Sequence, residues 1–271
     1  MTVRLRIIDD FSHSAAFNMA ADFYCLESCF KPPIVHFRLY DWQLPSITIG
    51  YMQKVLELLD FESLKKDNIA WIRRPTGGRA VLHDNDITYS CIFPASLSAM
   101  GNSVMETYSI ISRGLMAGLA MCGIECDSHD SFDQFRETKR EIKLPCFLAP
   151  NRKEIMAKGK KLVGSAQKRS ALAVLQHGSI PLTDAYRRLP DYLLLPEEQR
   201  KIQKELLASK SVCLKEIEPT LEIAKVRKAL IKGFATSLPF KTTEKSWTKE
   251  EIERIEVIAH SEEFRNQWMA A

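Results

Sequence analysis

Ile69-Ala70-Trp71-Ile72-Arg73-Arg74-Pro75-Thr76-Gly77-Gly78-Arg79 is the stretch from which the architecture can be read. Its first four residues form a short apolar run of buried-strand character. Pro75 and the glycine pair then break regular structure, and a second strand pattern runs from Ile87 to Phe93. Two strands thus follow one another across a glycine-rich loop with no helix between them. That order departs from a regular βαβ rhythm and predicts a mixed sheet flanked by helices, an α+β fold, instead of a doubly wound one.

The flanking sequence fits this frame. Val3 to Ile8 alternates apolar and basic residues as a half-buried strand does, and Ser14 to about Phe30 carries Phe17, Ala20 and Cys25 at helical spacing. Ile34 to Leu39 and Ser46 to Ile49 read as strands around a turn marked by Asp41-Trp42 and Pro45, and Asp60 to Lys66 as a short helix. Ser103 with Glu106 makes a capping box that opens a helix to about Cys122. Cys126 to Asn151 is polar, holds Pro145 and Pro150, and reads as a long loop of the kind that carries function. Strand patterns return at Lys161 to Val163, Leu172 to Leu175 and Gly178 to Leu182. From about Glu197 the chain reads as helical, with Glu and Lys at i,i+4 spacing. Residues 1–190 are expected to form the core, with 191–271 a helical C-terminal segment packed on the same domain.

Composition narrows the function classes. A chain of 271 residues with 45% hydrophobic content can bury a full core. A net charge of +4 lacks the concentrated basic stripe expected for nucleic acid, yet suits docking on an acidic protein. The acids Asp9 and Asp10 interrupt the start before an apolar run develops, so no signal peptide is read, and no apolar run is long enough to cross a bilayer. The 7 cysteines are scattered, without the paired spacing of a zinc site, and read as reduced thiols of a cytoplasmic protein.

Four constellations could carry chemistry. The Arg73 to Arg79 loop offers backbone N–H groups at Gly77 and Gly78 beside cationic side chains, although a Gly-Gly turn between arginines is also an ordinary hairpin loop. His83-Asp84 follows it. Gly159-Lys160-Lys161-Leu162-Val163-Gly164-Ser165-Ala166-Gln167 reads as a hairpin with one lysine turned into the sheet and its neighbour turned out, and an inward lysine is a costly charge that needs a partner or a function. Gln176-His177-Gly178-Ser179-Ile180 could be a bulge with a satisfied histidine. Cys146 follows Pro145 in the long loop, and a nearby lysine would favour its thiolate.

In this order the pieces resemble the lipoate–protein ligase and octanoyltransferase superfamily. Asn18-Met19-Ala20-Ala21-Asp22, Phe37-Arg38-Leu39-Tyr40-Asp41-Trp42 and Ser46 to Gln53 extend the likeness over residues 14 to 182. ATP-using ligases of the superfamily usually carry three glycines where this chain has Gly77-Gly78-Arg79, and usually lack a cysteine before the lysine hairpin. Pro145-Cys146-Phe147 is instead similar to the cysteine-dependent, LipM-type branch. Phe23, where the family often has an acid, and Leu148, where it often has a small or acidic residue, depart from the pattern.

The resemblance implies a biotin/lipoate protein ligase-like fold with an acyl tunnel. It implies that the Cys146 thiolate takes octanoyl from octanoyl-acyl-carrier protein and passes it to a lysine of a lipoyl domain or of the glycine-cleavage H protein, with no cofactor, ATP or metal. Lys161 would polarise the acyl carbonyl as the second catalytic residue. Arg73, Gly77, Gly78, His83, Gly164, Ser165, Ala166 and His177 would bind substrate. Rival readings are an ATP-dependent lipoate ligase, an amidotransferase acting between lipoyl proteins, and a non-catalytic module that binds lipoyl domains.

Overall fold

The computed structural model describes residues 3–30, 32–129 and 154–269. Its main sheet has eight strands in the order β11-β1-β2-β6-β10-β9-β8-β7. These are β1 (Arg4–His13), β2 (Ile34–Trp42), β6 (Asp86–Pro94), β7 (Asp127–His129), β8 (Glu154–Ala157), β9 (Lys160–Arg169), β10 (Ala173–Pro181) and β11 (Lys241–Glu244). A second sheet holds β3 (Ser46–Ile49), β4 (Ala70–Arg73) and β5 (Val81–His83) in the order β4-β3-β5. β1 runs parallel to β2 and β11, and the steps from β2 across to β7 are antiparallel. The expected mixed sheet is therefore present.

Helices cover both faces of this sheet. On one face, Phe37, Leu39 and Tyr89 pack against α3 (Val104–Ala120) and α6 (Ile223–Ser237) through Ile111, Leu115, Leu230 and Phe234. Gly118 and Gly233 let these helices touch: a Cβ on Gly233 would lie 2.2 Å from the Gly118 nitrogen. On the other face, Tyr40 packs with Phe17, Met19 and Ala20 of α1 (Ala15–Ser28) and with Ile255 and Ala259 of α7 (Lys249–His260). Alternation along β2 thus sends Phe37 and Leu39 to one layer and Arg38 and Tyr40 to the other. The small sheet packs its own cluster of Ile47, Ile49 and Leu82 against Leu64 of α2 (Phe61–Lys66) and against Leu189 and Tyr192 of the 3₁₀ segment Asp184–Tyr192.

Helix starts follow the side chains that cap them. Ser14 accepts from the Phe17 N–H, Asp60 from Glu62 and Ser63, and Ser103 from Glu106. The reciprocal half of the Ser103 capping box is displaced by one residue, because the Glu106 carboxylate accepts from the Asn102 N–H.

β2 and β3 flank a turn as expected, and they belong to different sheets. Several expectations are corrected. Leu172 to Leu182 holds one continuous strand, β10, instead of two, and every residue from Gln176 to Gly178 keeps a regular partner on β6, so the His-Gly step is not a bulge. The region from Glu197 is not wholly helical, since β11 joins the edge of the main sheet beside β1. Asp127–His129 is a strand inside the stretch expected to be loop. Most of that loop, with Cys146, lies outside the described residues. No helix among the described residues is long and apolar enough to cross a membrane.

Candidate active site

A cavity opens where the small sheet meets the middle of the large one. Cross-strand register aligns Tyr40, Thr88, Ser179 and Gly164 in one row over β2, β6, β10 and β9. All four line the cavity, and a neighbouring row brings His177 opposite Ala166. The glycine loop then folds over the row, with Gly78 at φ +94°.

Arg74 organises the loop from inside. It is 3% exposed. Its Nη2 donates to the carbonyls of Gly77 and Arg79, each at 2.8 Å, and so fixes the turn that a glycine pair would otherwise leave loose. Its Nε donates to Thr76 Oγ1 at 3.1 Å, and its Nη1 reaches Thr48 O at 3.1 Å and Thr48 Oγ1 at 3.3 Å.

From Arg74 two matching relays run into the protein. Thr76 Oγ1 is 2.7 Å from His177 Nε2, and His177 Nδ1 is 3.3 Å from the buried carboxylate of Asp22 on α1. Thr48 Oγ1 is 3.0 Å from His83 Nε2, and His83 Nδ1 is 2.8 Å from Asp86. At His177 the Asp22 carboxylate accepts from Nδ1–H, and the Thr76 hydroxyl, having accepted from Arg74, donates to Nε2. Burial holds His177 below its ordinary pKa despite the pull of Asp22, so its ring is neutral at pH 7. Asp86 also accepts from Thr88 Oγ1 at 3.1 Å and Ser179 Oγ at 2.5 Å, and Trp42 stacks on His83 at 4.3 Å. Both histidines are therefore rigid parts of the wall.

On the β9 side the Ser165 hydroxyl meets Tyr89 Oη at 2.7 Å, and Tyr89 in turn accepts from Gln176 Nε2 at 3.1 Å. Gly178 is required beside them. A Cβ there would sit 2.5 Å from Gly164 O and 2.7 Å from Tyr89 Cε1.

Lys161 points inward and Lys160 outward, as expected. Lys161 is 2% exposed and its Nζ is 2.5 Å from Glu154 Oε1 on β8. Lys160 Nζ instead donates to Ala208 O at 2.9 Å, in the last turn of α4 (Glu197–Lys210), where helix carbonyls lack partners. The tight turn between β8 and β9 is Lys158-Gly159, with φ of +49° and +71°, the geometry of a two-residue hairpin. β9 then carries an extra residue at Leu162, because Met156 faces Lys161 while Ile155 faces Val163. Simple alternation therefore does not carry the facing of Lys161 through to Ser165.

The candidate residues fall into three groups. His83, Gly164, Ser165, Ala166 and His177 line the cavity together. Gly77, Gly78 and Lys161 stand off its wall, the glycines exposed in the loop and Lys161 three residues before Gly164. Arg73 is elsewhere: its Nη1 donates to the carbonyls of Gly50, Tyr51 and Gln53, while the neighbouring Arg74 faces the cavity. Sequence reading also missed Asp22, Thr48, Thr76, Asp86 and Tyr40. Asp22 had a signal, an acid at i+4 from Asn18 and three before Cys25 on the apolar side of a helix.

The other six cysteines are Cys25, Cys29, Cys91, Cys122, Cys126 and Cys213. Burial raises the thiol pKa of every one, to about 11 for Cys29 and Cys213 and to about 12 for Cys126. None is a ready thiolate at pH 7. No cluster of metal-binding side chains occurs among the described residues.

Residues 14–235 match the profile of the lipoyl protein ligase A/B catalytic domain. The chain is 34% identical over 272 residues to octanoyltransferase LipM of Bacillus subtilis, covering 97% of this chain and 96% of that protein. It is 35% identical to octanoyltransferase LipM of Bacillus cereus, over 94% of each. A solved structure of the bi-partite lipoate protein ligase of Thermoplasma acidophilum superposes with a TM-score of 0.77 at 22% identity, over 97% of this chain and 96% of that one.

Proposed function

Because the chain belongs to the lipoyl protein ligase A/B catalytic domain family, we propose that it is an octanoyltransferase, moving octanoyl onto a lysine of a lipoyl-domain protein through a thioester on Cys146. The near full-length identity to proteins named octanoyltransferase LipM supports the reaction. One observation supports Cys146, the cysteine that the family resemblance points to, as the carrier: burial raises the thiol pKa of the six described cysteines, so none of them is a ready thiolate.

The Cys146 thiolate attacks the carbonyl carbon of octanoyl-acyl-carrier protein. The carrier sulfur leaves and takes a proton, and octanoyl remains on Cys146. A neutral lysine amine of the acceptor, a lipoyl domain or the glycine-cleavage H protein, then attacks that thioester. The Cys146 sulfur leaves, the amine proton is lost, and an amide forms. Exchange between thioesters is near neutral and aminolysis is downhill, so the chemistry draws on no nucleotide. Lys161 supplies positive charge to the developing oxyanion. Arg74 and the two relays keep the glycine loop and the histidines fixed, so little reorganisation accompanies the reaction. Basic residues of the segments 136–143 and 152–160 suit acidic carrier and acceptor surfaces.

Intact-mass analysis tests this reading. Protein mixed with octanoyl-carrier protein is expected to gain one octanoyl group, mapped to Cys146 and discharged by an added lipoyl domain. The Cys146→Ala variant is expected to give neither adduct nor product. Normal transfer by that variant, or modification that needs free octanoate and ATP, would overturn the proposal.

A further inference from the structure

The polar side chains on the cavity wall are committed to protein partners, with one exception. Arg74, Thr48, His83, Thr88, Ser165, His177 and Ser179 all have the hydrogen bonds given above, and Trp42 Nε1 donates to Thr88 Oγ1 at 2.8 Å. Tyr40 also lines the cavity, is fully buried, and its hydroxyl has no hydrogen-bond partner among the described residues. A buried hydroxyl without a partner is destabilising and uncommon in a folded protein.

The ring is held firmly. The Arg38 guanidinium lies 4.0 Å over its face and is itself fixed by Asp10 at 2.9 Å and by Asn18 Oδ1 at 2.6 Å. Burial keeps the phenol protonated far above neutral pH, so it is available as a donor. Its place in the sheet indicates which part of an occupant it meets. Tyr40 on β2 and Gly164 on β9 are three strand spacings apart, about 14 Å. An extended eight-carbon acyl chain is about 9 Å long from its bond lengths. With the acyl carbonyl at the β9 end, nearest Lys161, the tail of the chain runs toward β2.

We propose that the Tyr40 hydroxyl is a specificity determinant that donates to a hydrogen-bond acceptor near the tail of the acyl chain, so that the site takes medium-length chains with a polar acceptor atom at their far end as well as plain octanoyl. This rests on the acyl-transfer reading for the direction of the chain. An acceptor at the tail satisfies the hydroxyl, whereas a saturated tail leaves it unpaired.

The test compares carrier protein loaded with octanoyl or with 7-oxooctanoyl, whose ketone oxygen is an acceptor only, using the full chain and a lipoyl domain as acceptor. The ratio of kcat/KM for 7-oxooctanoyl over octanoyl is expected to fall on the order of fivefold in Tyr40→Phe, the size of one hydrogen bond between neutral groups. The variant is also expected to melt no lower than wild type, since it loses an unpartnered polar atom. An unchanged ratio would overturn the proposal, as it would mean that the hydroxyl does not meet the tail. If Tyr40→Phe fails to fold, wild type alone decides: rejection of 7-oxooctanoyl by more than about tenfold, the cost of a ketone desolvated without a partner, would overturn it. If wild type transfers neither chain, the acyl-transfer reading has failed. The binding ratio of free 7-oxooctanoate to octanoate in wild type and Tyr40→Phe then tests Tyr40 by itself, with a fivefold fall supporting the proposal and no change refuting it.

Discussion

Replacing Lys161 with alanine should damage both the stability and the activity of this protein, and the two effects can be separated. The side chains of Lys161 and Glu154 are each 3% exposed and meet at 2.5 Å. Removing the ammonium leaves a carboxylate in a desolvated site, and breaking such a pair from one side costs about 3–5 kcal/mol. That is a large part of the roughly 5–15 kcal/mol that holds a typical domain together. Loss of transfer by Lys161→Ala alone would therefore prove little. Adding Glu154→Gln removes the buried charge as well and should recover most of the stability. It should not recover transfer, which is expected to stay down on the order of 10²-fold if the ammonium stabilises the oxyanion. Urea denaturation measures the first effect, and single-turnover acylation of a lipoyl domain, followed by mass, measures the second. Lys160→Ala is the control: its exposed Nζ donates to Ala208 O, and its removal should change stability by less than about 0.5 kcal/mol. Wild-type transfer by the double variant would show that Lys161 serves only to neutralise Glu154.

Gly178→Ala should destabilise by about 1–3 kcal/mol, because its methyl group would enter the backbone of Gly164 and the ring of Tyr89; Gly77→Ala, whose added carbon meets nothing within 4 Å, should melt like wild type, and equal melting of the two would refute the close approach of β9 to β10. His36 is 2% exposed, neither ring nitrogen has a hydrogen-bond partner among the described residues, and burial lowers its pKa to about 4 from 6.5. The unfolded chain thus binds this proton more tightly than the folded one, so stability is complete above pH 6.5 and falls by roughly 3 kcal/mol as pH drops toward 4. His36→Leu should flatten that part of the stability profile in denaturant titrations, and an unchanged slope would point to other groups.

Local patterns along the chain were enough for the parts of this fold that local physics governs. Ser14, Asp60 and Ser103 start helices because a short side chain satisfies N–H groups two or three residues away. The alternation of Lys160 and Lys161 is a property of any strand, and the apolar runs of β2 and β6 announce burial without reference to neighbours. The broken βαβ rhythm was sufficient to expect a mixed sheet.

Long-range pairing settled the remainder. β11, Lys-Thr-Thr-Glu, is mostly exposed and polar, and it is a strand because β1 offers it an edge. Arg73 and Arg74 are adjacent and chemically alike, so nothing local distinguishes the one that clasps the 50–53 turn from the one that organises the cavity. His177 looked structural by itself, and its relay joins it to Thr76 and to Asp22, 101 and 155 residues away. The reason is desolvation. A hydrogen bond closed within a turn forms from neighbours along the chain, whereas the price of burying an imidazole, a carboxylate or a phenol depends on what the packed sheet and helices bring to its other side.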